Sequence, residues 1–282
     1  MNIAYINGQY ASRLTASTSI EDRGYQFADG IYEVVWLKDG TLIDEAAHFQ
    51  RLQRSLRELE IARPMSNGAL KTIIQQLIRR NRAAHGNYML YLQITRGVAR
   101  RNHLFPKSAF PCVTMTLTRF TPPTEAEITN GLKAITCPDL RWARRDIKSI
   151  ALLPNILARQ KAAEQGAREA LLIDEHRGVV TEGSTTNLFI IKNKVLITHL
   201  ADTHILNGVT RLAILSVAKK LGIKIQERAF TPKELLAADE VFISSTTAGV
   251  LPISQVDAKK IPVGKISLQL YAAYCKHVAA QC

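Results

Sequence analysis

A lysine and a glutamate are the two residues of this chain whose possible chemistry is clearest. Lys148 closes the basic run 141–148, and Glu182 lies in the Thr-Glu-Gly sequence at 181–183. A lysine amine can form an imine with an aldehyde, and a carboxylate can keep a nearby ring nitrogen protonated. These are two central requirements of pyridoxal 5'-phosphate (PLP) chemistry. The simpler alternatives are a solvated surface lysine and a glutamate that caps a turn.

The first part of the chain predicts a sheet of hairpins with two helices. Asn7-Gly8 and Asp39-Gly40 each lie between apolar runs and are typical of hairpin turns. Apolar residues with helical spacing follow over 46–61 and again over 70–78. Strand-like segments cover 88–95 and 112–118.

The rest of the chain mixes strands and helices without the regular alternation of a dinucleotide-binding domain, and it contains no GxGxxG. A helix over 208–221 is predicted to turn Leu212, Leu215 and Leu221 inward. Thr231-Pro232-Lys233-Glu234 is a capping box that begins a short helix. The other predicted helices cover 155–165 and 265–280, and the predicted strands cover 132–137, 170–173, 187–191, 195–198 and 241–244.

The length of 282 residues exceeds one typical domain. The polar, proline-stiffened run Thr121-Pro122-Pro123-Thr124 is the best candidate for a linker. We therefore predict a mixed α/β (α+β) fold of two domains, with an N-terminal α/β domain at 1–118, a linker at 119–123 and a C-terminal domain at 124–282.

A formal net charge of +13 raises the alternative of a nucleic-acid-binding protein. The basic residues are spread through predicted helices, and no aromatic-rich RNA motif, zinc-finger spacing or basic tail accompanies them. A basic surface also attracts small anions, including a phosphorylated cofactor and carboxylate substrates. We predict no nucleic-acid partner.

The four cysteines contain no CxxC pair, which argues against a zinc or redox dithiol site, and we predict no metal. The N-terminal residues lack a basic region followed by an apolar run, and no stretch is apolar enough to predict a membrane helix. The expected location is cytoplasmic, with reduced thiols.

Five segments, in chain order, resemble the fold-type IV PLP-dependent aminotransferases. This resemblance implies a smaller N-terminal domain, a larger C-terminal PLP-binding domain with the cofactor at their interface, and a homodimer. The segments are Glu-Asp-Arg-Gly-Tyr-Gln-Phe-Ala-Asp-Gly-Ile-Tyr-Glu at 21–33, the lysine run, 181–183, Asn-Gly-Val-Thr-Arg at 207–211 and Ser-Ser-Thr-Thr at 244–247.

The resemblance assigns roles in cofactor binding. Lys148 would be the Schiff-base lysine, which forms an aldimine and moves the Cα proton. Glu182 would bind the protonated pyridine nitrogen. Val209 and Thr210 open a helix whose unpaired N–H groups suit a phosphate. The further phosphate ligands would be Arg51 and Thr246, for which the alternatives are a solvated arginine and a strand-end cap.

Substrate class depends on the segment 95–103. Its Arg-x-His pair, Arg101 and His103, matches the carboxylate-binding pair of the D-amino-acid transaminases, where this loop reaches across from the partner subunit. With Tyr32, these residues would hold the α-carboxylate. Arg96 and Arg100 are alternative ligands, and a basic surface turn is the simplest interpretation.

The resemblance thus implies a ping-pong transamination between a D-amino acid and a 2-oxo acid, of the D-alanine and 2-oxoglutarate type. Within the same fold, the alternatives are a branched-chain L-amino-acid aminotransferase and an aminodeoxychorismate lyase. Thr247-Ala248-Gly249-Val250 departs from the usual pattern after the paired threonines, which leaves the preferred side chain open.

Overall fold

The computed structural model describes residues 2–282, which form two compact units. The first unit runs to Thr121 and also takes in Ile147–Ala151 and Cys282, and the second holds Pro122–Asp146 and Leu152–Gln281. A single linker at 119–123 would assign Lys148 to the second unit, whereas the structure groups it with the first.

The first unit is built on a six-stranded antiparallel sheet in the order β2-β1-β6-β5-β3-β4. Its strands are β1 (Ile3–Ile6), β2 (Gln9–Ser12), β3 (Gly30–Lys38), β4 (Thr41–Leu42), β5 (Asn87–Thr95) and β6 (Cys112–Arg119). Its helices are α1 (Arg23–Phe27), α2 (Glu45–Glu58) and α3 (Asn67–Asn81).

Both predicted hairpin turns are confirmed. Ile6 pairs with Gln9 across Asn7-Gly8, and Lys38 pairs with Thr41 across Asp39-Gly40. The φ angles are 43° at Asn7, 92° at Gly8, 47° at Asp39 and 83° at Gly40. Positive φ at both central residues gives a two-residue turn the twist of the flanking strands, and Asn, Asp and Gly adopt it most readily.

The β3 strand alternates between a core face and a second, partly exposed face. Ile31, Val35 and Leu37 lie in the core with apolar residues of α2 and α3, among them Leu52 and Leu77. A period of two residues therefore puts Tyr32 on the opposite face from its neighbours in the chain.

The second unit is built on a nine-stranded mixed sheet in the order β12-β11-β10-β13-β14-β7-β8-β9, with β15 paired to β14. Its strands are β7 (Leu132–Pro138), β8 (Glu169–Asp174), β9 (Val179–Gly183), β10 (Asn187–Lys192), β11 (Val195–Thr198), β12 (Ile225–Glu227), β13 (Glu240–Ser245), β14 (Gly249–Val256) and β15 (Lys259–Lys260). Its helices are α4 (Glu125–Asn130), α5 (Leu153–Glu164), α6 (Val209–Lys220), α7 (Pro232–Leu236) and α8 (Lys265–Ala279).

The predicted orientation of α6 is wrong for two of its leucines. Leu215 is buried, but Leu212 and Leu221 are 44% and 38% exposed. The buried residues of α6 instead include Thr210, Ile214 and Ala218, which are four residues apart and therefore share one helix face. Leu212 lies on the other side, and Leu221 lies at the C-cap.

Five elements of the second unit were not predicted, namely α4, β9, β12, β14 and β15. Thr124 caps α4 in a capping box with Glu127, so the chain becomes helical directly after the proline pair. β14 pairs with β13 along five residues, and Pro252 within it masked its strand character. Across residues 2–282, no helix has both the length and the apolar character needed to cross a membrane.

Candidate active site

Lys148 is held against the start of β3 by backbone hydrogen bonds. Tyr32 N–H donates to the Lys148 carbonyl oxygen at 3.0 Å, and Ile150 N–H donates to the Gly30 carbonyl oxygen at 3.1 Å. Ser149 forms an isolated bridge with Ile31. The short segment Ile147–Ala151 thus pairs with the start of β3 in the first unit. This pairing fixes the backbone of the candidate lysine.

The Lys148 side chain faces an aromatic ring rather than a carboxylate. Its Nζ lies 4.1 Å from the centre of the Tyr32 ring. The Tyr32 ring in turn lies 5.8 Å from that of Tyr91, whose pKa is raised to about 12 by burial and by its tyrosine neighbour. Within the first unit as described, no carboxylate pairs with this lysine.

Arg51, predicted to bind phosphate, is bound to a buried glutamate. Its Nε and Nη2 donate to Oε1 and Oε2 of Glu33, each at 2.8 Å. His48 Nδ1 lies 2.8 Å from the same carboxylate, which is 1% exposed. Burial acts to raise the pKa of Glu33, but Arg51 and His48 outweigh it and lower the pKa to about 2. This ionised carboxylate fixes the direction of the guanidinium.

Glu182 is buried on β9 and receives several donors. Arg141 Nη1 lies 2.5 Å from its Oε1, Asn187 Nδ2 donates to its Oε2 at 2.8 Å, and Leu206 N–H donates at 3.1 Å. Burial raises the pKa of this carboxyl, whereas Arg141 and Leu206 stabilise its charged form. Glu182 therefore belongs to a buried network that includes a guanidinium, an amide and a backbone N–H, which is more than a turn cap requires.

Arg141 is itself oriented by a second carboxylate. Its Nε and Nη2 donate to Asp139 at 2.9 and 2.8 Å, and Thr181 donates to Asp139 at 2.7 Å. Burial raises the pKa of Asp139, but Arg141 and Arg145 reverse this effect and lower it below its usual value. Arg141 therefore stays a fixed cation beside Glu182.

The N-terminus of α6 has the properties of an anion site. Gly208 is the N-cap and provides no side-chain cap, and Val209 and Thr210 are both buried in the first turn. The first N–H groups of a helix have no acceptor within it and carry partial positive charge. Arg211 is fully buried and anchors the helix by donating to Glu227 at 2.8 Å and to the carbonyl oxygen of His199.

Thr246 lies in the turn between β13 and β14 and is half-buried. The preceding strand residue Ser244 has a buried hydroxyl with no hydrogen-bond partner among the described residues. A buried polar atom without a partner is rare and marks a place where a polar ligand could be accepted. In the second unit, this turn and the first turn of α6 are the positions predicted for phosphate.

Arg101 and His103 lie together in an exposed loop of the first unit. The guanidinium carbon of Arg101 lies 4.6 Å from the Phe27 ring centre, and the His103 ring lies 5.5 Å from it. Arg96 is not an available ligand, because it is buried and donates to Asp29 at 2.7 Å and to the carbonyl oxygen of Glu60 at 2.9 Å. Arg100 is exposed.

The first unit therefore contains two separate groups of predicted residues. Tyr32 lies with Lys148, and no hydrogen bond or ring contact joins Tyr32 to Arg101 or His103 within residues 2–282. The sequence interpretation did not identify Glu33 as a partner of Arg51. Glu33 lies on the same face of β3 as the buried residues Ile31 and Val35. A charged residue at a position where the period of two predicts burial was the signal that could have identified it.

Comparison with known proteins identifies the family. Residues 30–256 match the model of the amino-transferase class IV family. The chain is 44% identical to the D-alanine aminotransferase of Listeria monocytogenes, over 98% of this chain and 96% of that one. It is 39% identical to the D-alanine aminotransferase of Staphylococcus epidermidis, over 99% and 98% of the two chains.

A solved structure agrees with the fold. The branched-chain aminotransferase of the archaeon Thermoproteus uzoniensis, solved with norvaline, is similar at a TM-score of 0.89 and 24% identity, over 99% of this chain and 95% of that one. The predicted fold class and the resemblance to the aminotransferases are confirmed. The chain belongs to the class IV aminotransferases.

Proposed function

We propose that this protein transfers the amino group of D-amino acids, such as D-alanine, to a 2-oxo acid such as 2-oxoglutarate. The observation that carries the proposal is that the chain is 39–44% identical to D-alanine aminotransferases over nearly its full length. The likeness to a branched-chain enzyme extends to the fold but has much lower identity. The reaction exchanges an amino group for a keto oxygen, so that D-alanine and 2-oxoglutarate give pyruvate and D-glutamate.

Class IV aminotransferases use pyridoxal 5'-phosphate. The chain fits this cofactor, since it has a lysine with no carboxylate partner in its unit and a helix N-terminus with no side-chain cap. When bound, the cofactor supplies an aldehyde for the amino group and a ring that accepts electrons. Lys148 would attach it, Glu182 would bind the ring nitrogen, and the phosphate would lie with Arg51, Val209, Thr210 and Thr246.

Two residues would act directly on protons. The Lys148 amine would remove the Cα proton of the donor and return a proton during the second half-reaction. Glu182, whose charged form Arg141 stabilises against the effect of burial, would keep the ring nitrogen protonated. The pairing of Arg51 with Glu33 fixes the guanidinium direction, and its role toward the phosphate stays a prediction.

The substrate α-carboxylate would be bound by Tyr32 together with Arg101 and His103 of the partner subunit in a homodimer. This arrangement is supported by the exposure of the 98–105 loop. It is also supported because, among the described residues, no hydrogen bond or ring contact joins Tyr32 to the Arg-His pair of its own chain. Large apolar residues are exposed on the same loop, with Leu104 at 75%. In the second unit, α5 exposes Leu153 and Ile156, which a second copy could cover.

The test is a half-reaction without an acceptor. PLP-loaded protein is mixed separately with D-alanine, D-glutamate, L-leucine and L-glutamate, and the loss of the visible absorbance of the bound cofactor is recorded. Loss with the D-isomers alone is the expected result. Loss with the L-isomers alone would instead indicate a branched-chain type of activity and overturn the proposal.

Two controls complete this experiment. The Lys161→Ala variant removes an exposed lysine of α5 and should behave like the wild type. Light scattering on the purified protein should give twice the mass of one chain, and a monomer that is fully active would contradict the shared carboxylate site. Cytoplasmic localisation stays a prediction from the sequence.

A further inference from the structure

A buried ion cluster lies at the base of the loop that carries Arg101 and His103. Arg23 Nε and Arg96 Nε donate to the same Asp29 oxygen, at 2.8 and 2.7 Å. Arg23 is 3% exposed, and Arg96 is 7% exposed. Burial acts to raise the pKa of Asp29, but the two arginines outweigh it and lower the pKa below the usual value. One ionised carboxylate thus orients two guanidinium groups.

Arg23 also binds the loop backbone through its Nη1 group. Its Nη1 donates to the Asn102 carbonyl oxygen at 2.6 Å and approaches the Leu104 carbonyl oxygen at 3.4 Å. These two carbonyl groups flank His103 on either side. Charge-assisted hydrogen bonds of this kind are shorter and stronger than neutral ones. The guanidinium therefore fixes the backbone on both sides of His103.

Arg96 and Phe27 complete the support. The guanidinium carbon of Arg96 lies 3.6 Å from the Phe105 ring centre, just beyond the segment that Arg23 binds. Phe27 is a common neighbour of Arg23, Arg101 and His103, with Arg23 at 4.8 Å from its ring centre. The side chains that would meet substrate are therefore supported from beneath by α1.

We propose that Arg23 is a positioning residue for substrate carboxylate binding, because it fixes the loop that presents Arg101 and His103. This inference rests on the proposed function of that loop. Residues 98–105 are mostly exposed and belong to no strand or helix, so ordering them in the free enzyme has an entropic cost. A buried arginine that orders the loop in advance removes this cost from substrate binding.

The carboxylate is common to the D-amino acid and the 2-oxo acid, and this gives the inference a kinetic signature. In Arg23→Gln, the KM for D-alanine and the KM for 2-oxoglutarate should both rise, by about 5- to 20-fold, as expected for loss of a charged hydrogen bond. The kcat and the visible absorbance of the bound cofactor should stay close to those of the wild type. Arg23→Lys keeps the charge next to Asp29 but cannot reach both carbonyl groups, and it should raise both KM values less.

A double-mutant cycle separates positioning from general destabilisation. If Arg23 acts through Arg101, then Arg23→Gln should raise KM much less in an Arg101→Ala background than in the wild type. Lys107→Gln is the matched control, since it removes one exposed positive charge two residues beyond this loop, and its KM values should not change. Should Arg23→Gln fail to fold, the same cycle is measured with Arg23→Lys.

The outcomes distinguish this inference from the proposed function. Unchanged KM values in the Arg23 variants, beside a raised KM in Arg101→Ala, would overturn only the positioning role. An equal rise in KM from Arg23→Gln in the wild-type and Arg101→Ala backgrounds would also overturn only the positioning role. An inactive wild type with D-alanine would overturn the proposed function and this inference with it. An Arg101→Ala variant with unchanged KM would overturn the carboxylate role of Arg101, and with it this inference, but not the transamination of D-amino acids.

Discussion

The amino group of Lys148 lies 4.1 Å from the centre of the Tyr32 ring, and the backbones of the two residues are joined by a 3.0 Å hydrogen bond. An ammonium over an aromatic face is attracted to the ring's electrons. The same contact puts the Tyr32 ring on the side of the sheet where the Lys148 amino group lies. A substrate whose Cα reacts at the lysine would therefore have its carboxylate within the range of this tyrosine.

Removal of the Tyr32 hydroxyl should weaken substrate binding and leave the lysine in place. Tyr32→Phe keeps the ring against Lys148 and removes one hydrogen bond, so the KM for D-alanine should rise by about 3- to 10-fold. The absorbance of the bound cofactor should not change. Steady-state kinetics with D-alanine and 2-oxoglutarate measure the effect, and a wild-type KM would exclude the hydroxyl from carboxylate binding.

Replacement of Lys148 should abolish turnover. Lys148→Ala removes both the attachment point and the proposed base, and transamination should fall by at least about 10³-fold. The protein should still fold, because among the described residues Lys148 forms hydrogen bonds only through its backbone atoms. Circular dichroism checks the fold, and the exposed Lys161→Ala serves as the comparison. Appreciable turnover in Lys148→Ala would show that another amine is the base.

Substitution of Glu182 should lower kcat more than it raises KM. Glu182→Gln keeps the shape and, with its amide oxygen in the Oε2 position, can still accept from Asn187 and Leu206. It loses the negative charge that would hold the ring nitrogen protonated and the acceptor for Arg141, and kcat should fall by about 10- to 100-fold. Arg141 keeps its pairing with Asp139, so the fold should persist. Glu175→Gln, an exposed change in the same unit, provides the reference. An unchanged kcat would show that the reaction does not depend on the negative charge of Glu182.

Local sequence patterns predicted most elements because their causes are local. Asn7-Gly8 and Asp39-Gly40 specify their turns through positive φ, and Thr231 caps α7 through Glu234. Short motifs pointed to Lys148 and to the loop with Arg101 as candidate site residues, and their roles stay predictions. Lys148 and this loop were recognised from the residues next to them in the sequence, and not from the residues that surround them in the fold.

The partners of these residues could not be predicted from the sequence, because each lies far away along the chain. Glu33 meets Arg51 from a different element, and Arg141 reaches Glu182 across 41 positions. Only the folded sheet brings such carboxylates and guanidinium groups together. The assignment of Ile147–Ala151 to the first unit also depends on pairing with β3, which no local pattern encodes.

The Glu33 ion cluster should make the stability of the protein depend on acid pH in a defined range. The pKa of Glu33 is about 2 in the folded protein, against 4.5 for an unperturbed glutamate. Because the folded pKa is the lower one, the stabilisation is fully present above about pH 4.5 and is lost as the pH falls toward about 2. Its size is on the order of 3 kcal/mol.

Urea unfolding of the wild type and Glu33→Gln at several pH values between 6 and 3 measures this dependence. The free-energy difference between the two proteins should be constant at the higher pH values and should shrink steadily below about pH 4.5. Glu175→Gln, whose carboxylate is exposed, should show no such difference at any pH. A difference between wild type and Glu33→Gln that stayed constant down to pH 3 would mean that the charge of Glu33 does not stabilise the fold, and that Arg51 and His48 are held by packing alone.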